Sequence, residues 1–296
     1  AVALLLVVSS LGCDKSKATR QSSSQAQSER VSASETPEEA AGDDGEQTEV
    51  ESSVELPRLT DDLEDRLAET TRLIVVTTPS WEAAAGSLEL HGRTDDEWKR
   101  LVGPIPANVG KSGQGWGRGL TSPPKDPETP AKVEGDGKAT AGIFEVGKTH
   151  GYADSPPEGI SLPYGELTKH TYCVYDAESK HYNQVFQWAE DEPKEWDKAE
   201  TMRRDDDLYS LLLTIRHNEL NAKPDAIEPG AGSCIFLHVW RGEGEPTVGC
   251  TSIAKPKLVE VLSKLESPDK TLFVQFPTPV YTALSERLDL PSTGPN

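Results

Sequence analysis

The stretch from Pro229 to Ala254 reads P-G-A-G-S-C-I-F-L-H-V-W-R-G-E-G-E-P-T-V-G-C-T-S-I-A. Its first half is apolar and β-branched or aromatic at most positions from Ile235 on, the composition of a strand. Side chains of an extended chain point to opposite sides in turn. Cys234, Phe236, His238 and Trp240 therefore take one face, and Ile235, Leu237 and Val239 the other. Between Arg241 and Pro246 stand two glycines and a proline, turn formers that let the chain double back. A hairpin is expected, with Thr247 to Ala254 as the return strand and Cys250 beside the strand that carries His238. A thiol and an imidazole twelve positions apart on neighbouring segments are the minimum equipment of a cysteine nucleophile with its general base.

Strand signals dominate the rest of residues 71–280. Leu73–Thr77, Ser87–His91, Leu211–Ile215 and Thr271–Phe276 are short and β-rich or alternating, with Gly and Pro clusters between them. Helical periodicity is confined to Lys194–Arg203 and to Lys255–Leu265, the latter with Leu258, Val261, Leu262 and Leu265 on one side. About 210 residues suffice for one sizeable core. The expectation is a mostly β single domain over residues 71–280, a C-terminal tail over 281–296, and a Gly-rich lid around Trp116.

The arrangement H…[S/T]-x-G-C, here His238 with Thr247, Gly249 and Cys250, resembles the signature of the L,D-transpeptidase (YkuD-type) catalytic domain. Pro106–Gly110 (P-A-N-V-G), Glu134–Phe144 (E-G-D-G-K-A-T-A-G-I-F) and Met202–Tyr209 (M-R-R-D-D-D-L-Y) resemble a bacterial envelope branch of that family. The resemblance spans about Leu73 to Pro277. It departs at Val248, where a histidine is common, at Ser252, at Thr140 in place of a proline, and in a short loop between His238 and Cys250. It implies a β-sandwich or barrel-like fold with a few short helices.

The activity it implies is that of a transferase in cell wall biogenesis and cell shape. Cys250 would attack a peptidoglycan stem tetrapeptide, hold the acyl group as a thioester, and pass it to an amine on another stem. His238 would be the base, steered by the carbonyl of Val239, with the N–H groups of Gly249, Cys250 and Val248 receiving the oxyanion. L,D-carboxypeptidase activity, with water as acceptor, and a catalytically silent peptidoglycan-binding lipoprotein are the alternatives. No cofactor is implied. Polarity and the resemblance together nominate His217, Asn218, Arg203, Arg204 and Thr247 for substrate binding, the arginines through two-pronged contact with a carboxylate. Tyr182 and Asn183 join them.

The chain has four cysteines. With Cys13 set aside, three remain, and an odd count points to one bridge and one free thiol. Cys250, behind Gly249 in a turn, is expected to be the free thiol, which leaves Cys173 and Cys234 as the expected pair. Cys234, His238 and Cys250, or His170, Cys173 and His181, are mixtures that zinc accepts, but neither contains paired C-x2-C knuckles, and no metal is expected.

Ala1–Gly12 is an apolar run too short to span a bilayer, ending in small residues before Cys13, as in a signal peptide and its cleavage region. No Met and no basic stretch precede it, so the natural chain is expected to start further upstream. Ser10-Leu11-Gly12-Cys13 resembles a bacterial lipobox. It implies lipidation of Cys13 and a membrane-anchored, periplasm-facing protein of the bacterial envelope. From Asp14 to Glu69 there is no aromatic residue, and sixteen acidic side chains stand against six basic ones, half of the chain's net charge of −20. Such a segment buries too little apolar surface to offset its ordering entropy. Residues 13–70 are thus expected to be a disordered acidic tether, with a short helix around Leu63 and Leu67 capped by Thr60. The acidic balance argues against nucleic acid as a partner.

Overall fold

The structure is a computed structural model that describes residues 54–125, 127–219 and 227–294. The expectations for residues 1–12, for Cys13 and for the tether up to residue 53 fall outside the described residues. The elements begin with β1 (Arg58–Leu59), α1 (Leu63–Glu69), β2 (Arg72–Thr78), β3 (Ala85–Thr94), β4 (Glu97–Asn108), β5 (Gln114–Trp116), β6 (Thr121–Ser122) and β7 (Ala139–Gly151). They continue with β8 (Tyr164–Glu166), β9 (Thr171–Val174), β10 (Val185–Gln187), β11 (Ala199–Thr201), β12 (Leu211–Ile215) and β13 (Phe236–Val239). β14 (Thr251–Ile253), α2 (Lys255–Leu262), β15 (Thr271–Pro277) and α3 (Thr278–Leu288) complete the chain.

Eight strands close a barrel-like sheet. Hydrogen-bonded neighbours run β12, β13, β14, β4, β3, β2, β15 and β7, and β7 pairs back onto β12. The mostly β expectation matches this architecture. The L-I-V-V run of β2 is apolar at each position because both faces are covered. Ile74 and Val76 point into the interior with Leu88, Leu90 and Phe273. Leu73 and Val75 point outward beneath α1 and α3, against Leu63, Tyr281 and Leu284. Strands buried on both sides read as continuous apolar runs. The one-sided stripe of α2, Leu258, Val261 and Leu262, joins the interior cluster.

Lys194–Arg203 is not a helix. Ala199–Thr201 pairs with β9 as an edge strand, and Trp196 is buried among the rings of Tyr172, Phe186 and Trp188. Burial of one large ring outweighs a weak helix propensity. Residues 281–294 of the expected tail are part of the fold, since α3 begins at Thr278 and Tyr281, Leu284 and Leu290 are buried in the outer core. Residues 54–70 also belong to the fold. Leu63 is fully buried, and Thr60 Oγ1 donates to the Leu120 carbonyl at 2.9 Å rather than capping α1.

Two long strands went unanticipated because they carry breakers, Pro104 and Pro106 in β4 and Gly142 and Gly147 in β7. β4 meets β14 only at Asn108 opposite Ser252, so the outer edge around its prolines has no ladder to supply. Among the described residues no helix is long and apolar enough to cross a membrane.

Candidate active site

β13 and β14 run parallel, with Leu237 opposite Thr251, His238 opposite Ser252 and Val239 opposite Ile253. The expected hairpin is therefore wrong. Trp240 to Cys250 is a return loop that carries the chain back to the start of β13, as parallel neighbours require. Directly opposed residues of a parallel pair project to the same side. Leu237, Val239 and Ile253 enter the barrel interior, whereas Phe236 and Cys250 join Tyr209 and Leu212 in a separate cluster outside it. Cys250, one step before Thr251, thus shares a face with His238 as its diagonal neighbour. A strand spacing of about 4.8 Å and a two-residue rise of about 6.6 Å set such neighbours about 8 Å apart at Cα.

His238 Nδ1 lies 2.7 Å from the Val239 carbonyl. A carbonyl only accepts, so Nδ1 carries the proton and Nε2 keeps the lone pair a base needs. The Tyr209 ring stands edge-on to the imidazole at 5.3 Å and 90°. Burial, reinforced by Arg204, drives the imidazole down to about 4 despite the Val239 carbonyl. Cys250 is a free, buried thiol whose Sγ lies 3.4 Å from the Cys234 carbonyl. Burial pushes this thiol up to about 12; the Phe236 N–H and Lys132 act against the rise, and Glu200 adds to it. The resting pair is consequently neutral.

Thr247 folds the loop before the sulfur onto itself. Its hydroxyl donates to the Cys250 carbonyl at 2.6 Å and accepts the Gly249 N–H at 3.1 Å. The Gly249 N–H is thereby engaged within the loop, while the Cys250 and Val248 N–H groups have no partner among the described residues. Val248 projects outward, 76 % exposed. Gly249 adopts φ +154, and a Cβ there would lie 3.2 Å from the Lys138 carbonyl.

The loop and Cys250 border a cleft of ≈ 850 Å3 whose walls include Lys132, Glu134, Tyr175, Glu200 and Tyr209. Lys132 is 5 % exposed and paired with Asp136 at 2.8 Å. Glu200 accepts the Tyr209 hydroxyl at 3.0 Å, and Glu134 accepts those of Tyr182 at 2.9 Å and Ser233 at 2.7 Å. β9, β10 and β11 form a small sheet, tied to the start of β13 by a disulfide between Cys173 and Cys234. Cys234 has φ +56, a conformation held by that bond and by donation of its N–H to Asn183 Oδ1.

Several nominated residues serve the fold instead. His217 is buried, its Nε2 donating to the Ala231 carbonyl at 3.0 Å and its Nδ1 accepting the Arg118 N–H at 3.2 Å. Burial drives it down to about 3. Asn218 is spent on the backbone of Glu228 and Gly232. Arg203 lies over the Tyr152 ring and its Nη1 donates to two carbonyls, and Arg204 is held through Nε, Nη1 and Nη2 by Asp206 and Glu200, so the fork of Arg204 is not open to a carboxylate. Thr247 turns its hydroxyl to its own loop, and Asn183 bonds His217 and Cys234. Trp116 is a buried strand residue and not part of a lid, because β5 lies alongside β7 and packs the ring against Trp81 and Phe276.

The disulfide removes Cys173 and Cys234 from either mixed Cys/His set, and among the described residues no three His, Cys, Asp or Glu groups converge as a metal site would. Lys132, Glu200 and the Tyr182–Glu134–Ser233 contacts were not anticipated. No local pattern marks a lysine as buried: Asp136 is close in sequence, but Gly232 and Gly249, which flank the side chain, lie about a hundred residues away. A scan against models of protein families, a search of curated proteins and a search of solved structures each found no match.

Proposed function

We propose that this chain is a cysteine-dependent L,D-transpeptidase acting on peptidoglycan stem tetrapeptides, exported and lipid-anchored through Cys13. The observation that carries the proposal is the placement of Cys250 and His238 as diagonal neighbours on one face of the β13–β14 pair, with Cys250 bordering an open cleft. The Cys250 sulfur adds to the carbonyl carbon of the third stem residue while His238 Nε2 takes the thiol proton. The resulting oxyanion faces the Cys250 and Val248 N–H groups. The C–N bond to the terminal D-Ala then breaks, and the imidazolium returns the proton to the leaving amine. An amine of a second stem attacks the thioester, restoring the thiol.

Proton transfer as a separate step, from a thiol near 12 to an imidazole near 4, costs on the order of 10 kcal/mol. A turnover of about 1 per second tolerates a barrier near 17 kcal/mol, so this cost is bearable and favours transfer concerted with attack. A catalytically silent wall-binding protein is the second reading, favoured by the same high position of the thiol. Purified protein and Cys250→Ala are incubated with disaccharide tetrapeptides and the products weighed. Stem dimers from the wild type alone support the proposal. Tripeptides alone point to water as acceptor, and intact substrate in both samples favours the silent reading.

A further inference from the structure

Lys132 is the buried charge that the chemistry above leaves unused. Lysine is almost never fully buried unless paired, and a buried pair is often no more stable than apolar packing of the same volume. Here the side chain runs between two glycines with left-handed φ, Gly232 (+96) and Gly249 (+154). A Cβ on Gly232 would come 3.0 Å from Lys132 Cε, and one on Gly249 3.6 Å from Lys132 Nζ. The backbone thus gives way on both sides, and Nζ ends beside the residue that precedes the Cys250 sulfur. Asp136, its partner at 2.8 Å, is fixed independently by the N–H groups of Val133 at 2.9 Å and Lys138 at 2.8 Å.

We infer that Lys132 is a positioning cation for the nucleophile, stabilising negative charge on the Cys250 sulfur and on the adduct it forms, with Asp136 as the counter-charge that partly offsets it. This rests on Cys250 being the attacking group. Glu200 on β11 and Tyr209 ahead of β12 also act on the sulfur, His238 on β13 is its diagonal neighbour, and Glu134, Lys111 and Lys198 stand further along the cleft. Lys111 and Lys198 are exposed, where water and salt screen them. Lys132 alone among these cations acts at low dielectric, where a neighbouring charge counts for most. Its influence opposes the rise that burial imposes on the thiol.

The test follows alkylation of Cys250 by iodoacetamide, located by peptide mass, on the full chain between pH 7 and 9. Lys132→Met is expected to slow it at least tenfold at pH 8, and Lys132→Arg to stay within threefold of wild type. Asp136→Asn, which leaves the cation but removes its counter-charge, is expected to speed it several-fold. A folded Lys132→Met that reacts at the wild-type rate overturns the inference, as does a Lys132→Arg as slow as Lys132→Met, which would make the role one of packing. Should Lys132→Met fail to fold, Asp136→Asn decides: acceleration supports the inference, and an unchanged or slower rate overturns it. The readout needs no stem peptide. Chains that alkylate as expected yet leave tetrapeptides intact refute the proposed transpeptidase and leave the role of Lys132 standing.

Discussion

The Cys250 proton is shared with the Cys234 carbonyl in a buried pocket, and burial keeps the His238 ring on the same face neutral. Wild-type Cys250 is therefore expected to react slowly with iodoacetamide near pH 7. The rate should climb about tenfold per pH unit up to pH 10 without a plateau, because only the thiolate attacks. A plateau below pH 9, in a rate profile measured by peptide mass, would contradict the burial seen here. At this scale the sequence was informative where chemistry is local. The alternation that set His238 on the Phe236 face holds, and the Val239 carbonyl is the acceptor of Nδ1. It was uninformative where roles depend on distant segments: His217 and Arg204 have the polarity of substrate contacts, yet their hydrogen bonds are consumed by Ala231, Arg118, Asp206 and Glu200.

The bridge from Cys173 on β9 to Cys234 closes a sequence separation of 61 residues and fastens the small sheet beside the cleft. Loop-closure entropy for such a span is worth about 4 kcal/mol. The double variant Cys173→Ala/Cys234→Ala is expected to lose that much in urea unfolding, and a loss under 1 kcal/mol would mean the small sheet holds itself. Strands with uninterrupted apolar patterns, β2, β12 and β15, were legible as such. β4 and β7 were not, because the prolines of β4, tolerated at its free outer edge, and the glycines of β7 look like strand ends. The direction of β14 was equally hidden: two glycines and a proline mark a reversal, but not whether the chain then pairs at once or first returns to the start of its partner.

Four buried histidines, His91, His150, His217 and His238, tie the whole molecule's stability to pH, since burial lowers each of them. Burial holds His150 and His238 at about 4 and His217 at about 3, below the unfolded value near 6.5. Between those limits the unfolded chain takes up protons that the folded chain refuses, so this stability is present above pH 6.5 and lost as pH falls through 4. Each contributes a slope of about 1.4 kcal/mol per pH unit. Urea unfolding from pH 4.5 to 6 should show it, with His150→Leu removing the share of one group; an unchanged slope in that variant would refute the assignment. Stopping the chain after Val280 removes Tyr281, Leu284 and Leu290 from the outer core. Each large buried side chain is worth about 2–5 kcal/mol, enough together to exceed a typical domain's margin. Loss of a cooperative melt is expected, and a truncated chain that still melts sharply would show α3 to be dispensable. Finally, Cys173, Cys234 and Cys250 share one cluster. Three sulfurs so gathered allow three bridges, two of which consume the nucleophile. Any preparation oxidised before the barrel has closed will contain a scrambled, inert fraction, and counting free thiols will not reveal it, since each isomer leaves one of these three sulfurs unpaired.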